Sequence, residues 1–193
     1  MGIYVCGVGS DDWSDEEVLG PTARALAAEL RRRGLDPCPR PAPRAPRPRS
    51  GASFEEKLNR PLGTFEDLCR QDPAGEECYD ALLGWDLLVP VAFDGAFELP
   101  VPSPYDDVTT VRSAHAARAA AQRVADRIAL PPQVPLDGGN LALTNWFDGP
   151  AVADAAATHP GPWSQATDAA FYAALYLGAA EHAIRHTCPM HYV

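Results

Sequence analysis

The stretch EHAIRHTCPMHYV at residues 181–193 concentrates side chains that can bind metals or transfer protons. Three of the five histidines and one of the five cysteines fall within it. The candidates are His182, His186, Cys188 and His191. His182 and His186 are four residues apart, so a helix would present both imidazoles on one face, as metal-binding helices do. Nitrogen and sulfur ligands of this kind suit zinc or another divalent transition metal.

Two further interpretations of these residues stay open. In one, His182, His186 and Cys188 perform metal-free catalysis, with the thiol as nucleophile. In the other, the histidines are structural and hydrogen-bonded at a helix end. His182 continues an apolar helix face, which predicts that it is partly buried. The segment 189–193 is expected to lie beyond the helix, so under the structural interpretation its loss should cost little stability.

A second group of polar residues follows the first apolar segment, in GVGSDDWSDEE. Ligands of α/β proteins bind at such a place, where a strand ends and a helix begins. The third glycine of a dinucleotide fingerprint and the Lys-Ser/Thr of a phosphate loop are both missing. Asp11 and Asp12 are therefore candidates to bind a divalent cation or a sugar hydroxyl. Alternatively, these acids only stabilise a helix N-terminus.

This opening of strand, acidic loop and helix resembles nucleoside deoxyribosyltransferase-like and TIR-like domains. The resemblance covers about 35 of the 193 residues. The catalytic glutamate context of either family is not found further along the chain, so the resemblance implies an α/β fold and assigns no site residue.

A third candidate group lies in YDDVTTVRSAH, at the start of a long helix predicted over residues 107–129. Asp106 or Asp107 is expected to cap that helix. Arg112 and His115 would then lie together, away from the alanine-rich face. With Asp107 they could perform acid–base catalysis if that side faces a cleft. If it faces water, they are ordinary surface residues.

The remaining patterns predict the fold. A buried strand at the N-terminus is followed by a helix beginning near Pro21. FEEKLN predicts a short helix and NLALTNWF a strand. Asp94-Gly95 predicts a β-hairpin between DLLVPVAF and AFELPV, and their prolines place at least one of these strands at a sheet edge. The last helix, about residues 165–187, is almost entirely apolar from Ala169 to Ala180 and is therefore predicted to be central.

The predicted class is α/β (or α+β), with residues 1–193 forming a single domain. A sheet of three to five strands should carry packed helices and the central, largely apolar C-terminal helix. Residues 36–50 hold six prolines and four arginines and predict a surface loop.

The net charge and the cysteine content limit the possible functions. The formal charge is −10, which disfavours nucleic acid and anionic lipid and favours a basic protein partner. No apolar run is long enough to span a membrane, which argues against a membrane partner. The five scattered cysteines and the lack of a secretory signal pattern indicate a soluble cytoplasmic protein with reduced thiols.

Two functions fit these observations. The first is a binding or regulatory protein, such as an immunity-type inhibitor or an adaptor. The alternative is a small hydrolase or transferase with a C-terminal His/Cys site, metal-dependent if zinc or another divalent metal binds the tail.

Overall fold

The protein is described by a computed structural model that covers residues 2–42, 53–137 and 139–193. Its strands form one mixed sheet flanked by helices, which confirms the predicted α/β class. The sheet has six strands, so the expected three to five was too few. The strands are β1 (Ile3–Gly7), β2 (Glu55–Leu58), β3 (Leu87–Val89), β4 (Ala96–Leu99), β5 (Thr109–Ser113) and β6 (Met190–Tyr192).

The strand order is β2-β1-β6-β3-β5-β4. β3 and β5 are parallel, whereas β6 is antiparallel to both of its neighbours, β1 and β3. β2 and β4 are antiparallel to the strands beside them and form the two edges. As a result β1, β3 and β5 point the same way, and their carboxyl ends meet along one border of the sheet, the carboxyl border.

Helices cover both faces of the sheet. They are α1 (Ser10–Ser14), α2 (Gly20–Arg32), α3 (Gly63–Arg70), α4 (Glu76–Leu83), α5 (Ala114–Arg127), α6 (Ala142–Asp148), α7 (Ala151–Thr158) and α8 (Thr167–His186). Leu26 and Leu30 of α2 pack on one face with Leu87, Val89 and Val111. Helices α3 to α8 contribute to the larger core on the other face.

Helix α8 is the centre of the larger core, as its composition predicts. Every residue from 169 to 180 is buried. It packs most extensively against α5, whose Ala117 and Ala121 are also buried. Small side chains on both helices leave room for their backbones to approach closely, so this pair forms a dense layer under the sheet.

The segment after α8 differs from the expectation. Thr187 ends the helix in the left-handed conformation, with φ of 50°, and the chain reverses into β6. Met190 is fully buried, and β6 fills the gap between β1 and β3. Residues 189–193 thus lie beyond the helix, as predicted, but they supply an interior strand, so we now expect their loss to destabilise the fold.

Two segments adopt the opposite secondary structure to the prediction. The predicted helix FEEKLN contains strand β2, and the predicted strand NLALTNWF contains helix α6. The carboxylate of Glu56 accepts hydrogen bonds from the N–H groups of Leu143 (2.7 Å) and Thr144 (3.1 Å) at the start of α6. Glu56 thus lies in a strand and caps α6, a helix that is distant in the sequence. No local sequence pattern reveals this contact.

The predicted long helix begins later than expected. Residues 109–113 form β5, in which Thr109, Val111 and Ser113 are buried alternately, as in a strand. Ser113 caps α5 by accepting from the N–H of His115 (3.2 Å), so Asp106 and Asp107 are not the cap. This shift separates residues that a helix from 107 would have brought together.

The predicted hairpin is wrong in its pairing, because β5 lies between β3 and β4. Gly95 has φ of +72°, but Asp94 does not share the positive φ that the predicted two-residue turn requires. All three residues of β3 are buried, so it needs strand neighbours on both sides. β4 lies at an edge, which confirms the inference from the prolines.

Other expectations concern the loop and membrane association. Residues 36–42 contain no helix or strand, and the remaining part of the predicted loop, 43–50, lies outside the described residues. Within the part of the chain that the structure describes, no helix is long and apolar enough to cross a membrane.

Candidate functional site

The tail and the first strand meet at the carboxyl border. The N–H of Val8 donates to the carbonyl of Pro189 (2.9 Å), and Gly7 pairs with Met190. This contact brings the C-terminal end of α8 next to the end of β1, where α/β proteins commonly bind ligands. Two of the predicted site regions are thus neighbours in space.

His182 and Cys188 face the same glycine from α8 and the turn that follows it. A methyl group added to Gly7 would lie 3.4 Å from His182 Nε2 and 3.6 Å from Cys188 Sγ. These are ordinary contact distances, so glycine leaves a methyl-sized space between the two side chains. His182 is 8% exposed and Cys188 7%, which means that the space is nearly closed to solvent.

The environment of His182 keeps its imidazole neutral. Burial lowers its pKa to about 4, and the nearby charges of His186 and Arg185 act in the same direction. Its ring centroid lies 5.7 Å from that of Phe54 and 4.3 Å from that of His186. A neutral imidazole at pH 7 can accept a proton, so His182 has the protonation state that a general base requires.

Cys38 joins this region from the loop after α2. Burial, followed by the proximity of Cys188, raises the pKa of the Cys38 thiol to about 12. Its Sγ donates to the carbonyl of Pro39 (3.7 Å). Cys38 is therefore a protonated, weakly nucleophilic thiol at neutral pH.

His191 points away from the other tail residues. It lies in β6 between Met190 and Tyr192, both of which pack in the α8 core. Alternate strand residues face opposite sides, so His191 faces the α2 side of the sheet. Among the residues that the structure describes, no group of three or more His, Cys, Asp or Glu side chains could hold a metal ion. Metal binding by the tail stays a prediction.

Asp11 and Asp12 lie in the first turn of α1. The Asp11 carboxylate accepts from the hydroxyl of Ser10 (3.1 Å). A nearby cavity of 380 Å³ is lined by Trp13, Arg24 and Cys38 among others, but by neither aspartate. A cofactor role for Asp11 and Asp12 stays a prediction, and the lining of this cavity does not add to it.

The third predicted group is dispersed. Asp107 is exposed in the loop before β5, and His115 is exposed near the start of α5. Arg112 lies in β5, donates to the carbonyl of Gly84 (3.1 Å) and pairs with Asp80 (3.2 Å). Arg112 is thus occupied in attaching β5 to α4, and the geometry does not assemble a catalytic Asp–Arg–His set.

A charge asymmetry was missed by reasoning from the sequence. Residues 71–111 contain nine acidic side chains and no lysine or arginine, whereas the rest of the chain holds 17 acidic and 16 basic ones. Almost all of the net charge therefore comes from one segment. The signal was visible as a run without cations, but only the structure shows which of these carboxylates are exposed.

Four of these carboxylates surround strand β4, and we call them the acidic edge: Asp94, Glu98, Asp106 and Asp107. All four are exposed, and none forms an ion pair with any residue that the structure describes. Tyr105, also in the loop between β4 and β5, is 58% exposed. The acidic edge thus consists of exposed carboxylates that form no ion pair with described residues, while the Tyr105 phenol lies near Tyr192 of β6.

Comparison of the chain with known families, curated proteins and solved structures found no match.

Proposed function

We propose that this protein is a binding or regulatory protein that docks a basic protein partner on its acidic edge. The observation that carries the proposal is the concentration of the net charge in residues 71–111. Inhibitors of the immunity type and adaptors act in this way, by covering a cationic surface of another protein. In this proposal no reaction is catalysed, and no nucleic acid or membrane takes part.

Electrostatics supports a basic partner. Uncompensated carboxylates on one side of a protein attract cations and accelerate encounter with a positively charged surface. Tyr105 adds a rigid side chain that can stack on arginine or lysine, and tyrosine is enriched where interfaces concentrate their binding energy. All five cysteines are free thiols, which fits the cytoplasm as the proposed location.

The packing of the tail favours binding over catalysis. His182 and Cys188 are both less than a tenth exposed, whereas Cys38 is only partly buried. A substrate would have to displace packed side chains to reach them. The acidic edge, in contrast, is accessible without rearrangement.

Charge-neutralised variants test the proposal. In one, the acidic edge is replaced by amides, Asp94→Asn, Glu98→Gln, Asp106→Asn and Asp107→Asn. In the matched control, four exposed carboxylates elsewhere are replaced, Asp36→Asn, Asp67→Asn, Asp137→Asn and Asp154→Asn. Both variants lose the same four charges, so any difference between them reports the position of the charge.

The probe is a capped, fluorescently labelled oligolysine peptide followed by anisotropy at low salt. We expect the edge variant to bind it at least about tenfold more weakly than the control variant, and the wild-type affinity to fall steeply with salt. Equal affinities of the two variants would show that the acidic edge is not a docking site and would overturn the proposal.

A second candidate is a small hydrolase or transferase that uses the Cys188 thiol. The neutral His182 imidazole, facing the same glycine as Cys188, favours it. If His182 activates the thiol, His182→Gln should slow alkylation of Cys188 by iodoacetamide, measured by mass spectrometry, while labelling of the buried Cys69 stays unchanged. An unaltered Cys188 rate would remove this candidate.

A further inference from the structure

The two edge strands of the sheet differ in whether described residues hydrogen bond to their outer sides. Along β2, the N–H of Leu141 donates to the carbonyl of Glu55 (2.8 Å), and Glu56 holds the start of α6. Along β4, no described residue hydrogen bonds to the backbone on the side that faces away from β5. β4 therefore presents outward-pointing N–H and C=O groups of the kind that accept an added strand.

The side chains of β4 define what such a strand would meet. Phe97 and Leu99 are buried under α2, while Ala96 and Glu98 are exposed on the opposite face. Asp94 precedes the strand, and Asp106 and Asp107 follow it in the connecting loop. An added strand would therefore run past carboxylates at both ends of β4 and in its middle.

The negative charge around β4 determines which kind of strand can pair with it. Pairing of β4 with β4 of a second copy would bring the acidic edges of both chains together, and like charges on adjacent strands are destabilising. A segment with lysine or arginine at alternate positions would instead place cations next to Glu98 and its acidic neighbours. Charge complementarity thus favours a basic partner over self-association.

We infer that β4 binds an extended, basic segment of the partner by strand addition, an inference that rests on the proposed function and specifies its docking mode. Main-chain hydrogen bonds to β4 would supply affinity, and the acidic edge would select for cations. The partner segment is thus one that is extended, or can become so, with positive side chains on one face.

The experiment uses the wild-type protein, the edge variant and two peptides of equal charge. One is a capped heptapeptide that alternates lysine and valine, and the other is the same peptide with methyl groups on its central backbone nitrogens. Methylation removes hydrogen-bond donors without changing the charge. Affinity is measured by titration, and amide hydrogen exchange of Ala96–Leu99 is followed with and without each peptide.

Strand addition predicts that the unmethylated peptide binds at least about tenfold more tightly and slows exchange of the outward-facing β4 amides by a similar factor. Strand addition would be overturned if both peptides bind equally well, if β4 is not protected from exchange, and if neither peptide binds the edge variant. That result would leave the acidic-edge proposal intact. The methylated peptide could also bind more weakly while the unmethylated one leaves β4 unprotected. That result would mean that the peptide pairs with a different strand and would also overturn strand addition at β4. If neither peptide binds, both proposals fail.

Discussion

The two edges of the sheet show two ways of ending it. At β2, the outer strand is covered: Asn140 and Leu141 hydrogen bond to Glu55, and the Glu56 carboxylate caps α6. Arg60, just after the strand, forms ion pairs with Asp148 of α6 and with Asp168 of α8 (3.0 Å for the second). At β4, no described residue hydrogen bonds to the outer side of the strand, and exposed carboxylates lie around it instead.

The difference separates stability from recognition. Glutamates lie on both edge strands, yet Glu56 is 2% exposed and fully engaged, whereas Glu98 is exposed and forms no ion pair with any described residue. A buried, engaged carboxylate is costly to remove, while an exposed one contributes mainly to long-range attraction. We therefore expect the covered edge to determine folding and the open edge to determine binding.

The interior of the sheet should be more sensitive than either edge. Deleting residues 189–193 removes β6 and leaves β1 and β3 without their shared neighbour, so we expect the protein to lose its cooperative fold. Burial of Met190 alone corresponds to about 2–5 kcal/mol, against a typical total of about 5–15 kcal/mol. Circular dichroism during urea unfolding measures the outcome.

The control for this deletion is Val193→Ala, which keeps β6 and shortens a side chain that is 51% exposed. It should change the free energy of unfolding by less than about 0.5 kcal/mol. A truncated protein with a near-normal unfolding midpoint would show that the sheet closes without β6.

Matched alanine substitutions on the two edges test the comparison directly. Glu56→Ala leaves the N–H groups of Leu143 and Thr144 without their acceptor, and should lower the free energy of unfolding by about 2–4 kcal/mol. Glu98→Ala should change it by less than about 0.5 kcal/mol. Both values come from urea titration, and similar costs at the two positions would contradict the distinction between a covered and an open edge.

The turn leading into the open edge depends on backbone conformation. Gly95 has φ of +72°, and Gly95→Val should cost about 1–2 kcal/mol because side chains other than glycine are strained there. Gly63 has open space around its Cα and ordinary φ, so Gly63→Val is the control and should be nearly neutral. Thermal unfolding of both variants distinguishes strain from lost flexibility, and equal shifts would exclude strain.

A smaller effect concerns pH at the covered edge. Burial raises the pKa of Glu56 above its ordinary value, although its hydrogen bonds from Leu143 and Thr144 oppose this. The folded protein therefore holds the proton more tightly than the unfolded chain. This contribution to stability is complete below the unfolded pKa and is lost as pH rises through the folded one.

Glu56→Gln isolates this effect, because the amide stays neutral at every pH. The stability of the wild type relative to Glu56→Gln should fall as pH increases from about 4 to 7. Urea titrations of both proteins across this range provide the measurement. A relative stability that increases with pH would mean that the hydrogen bonds to the carboxylate outweigh its burial.

Sequence reasoning succeeded where structure is set locally. The apolar run of α8 and the helix α2 were identified, because their periodicity does not depend on distant partners. It failed at β2 and α6, where Glu56 of one segment caps the other 87 residues away. Leu143 and Phe147 of α6 are both buried and four residues apart, a helical spacing hidden within an apolar run that also suits a strand.

In the candidate site, too, local features were predictable and long-range contacts were not. Burial of His182 followed from the apolar face of its helix, but its proximity to Gly7 depends on the insertion of β6 between β1 and β3. The deficit of cations in residues 71–111 is readable from the sequence. That Asp80 is neutralised by Arg112 while Glu98 is not depends on the paths of α4 and β4.

The position of β6 also has a consequence for folding kinetics. β2 and β1 form one part of the sheet, β3, β5 and β4 form the other, and among the described strands only β6 joins them. Gly7 pairs with Met190, so the joining contact closes a loop that contains nearly the whole described chain. Loop closure of this length gives the fold a high contact order and a slow folding step. Each half-sheet can form early from nearer segments, and the arrival of β6 then commits the chain to its native topology.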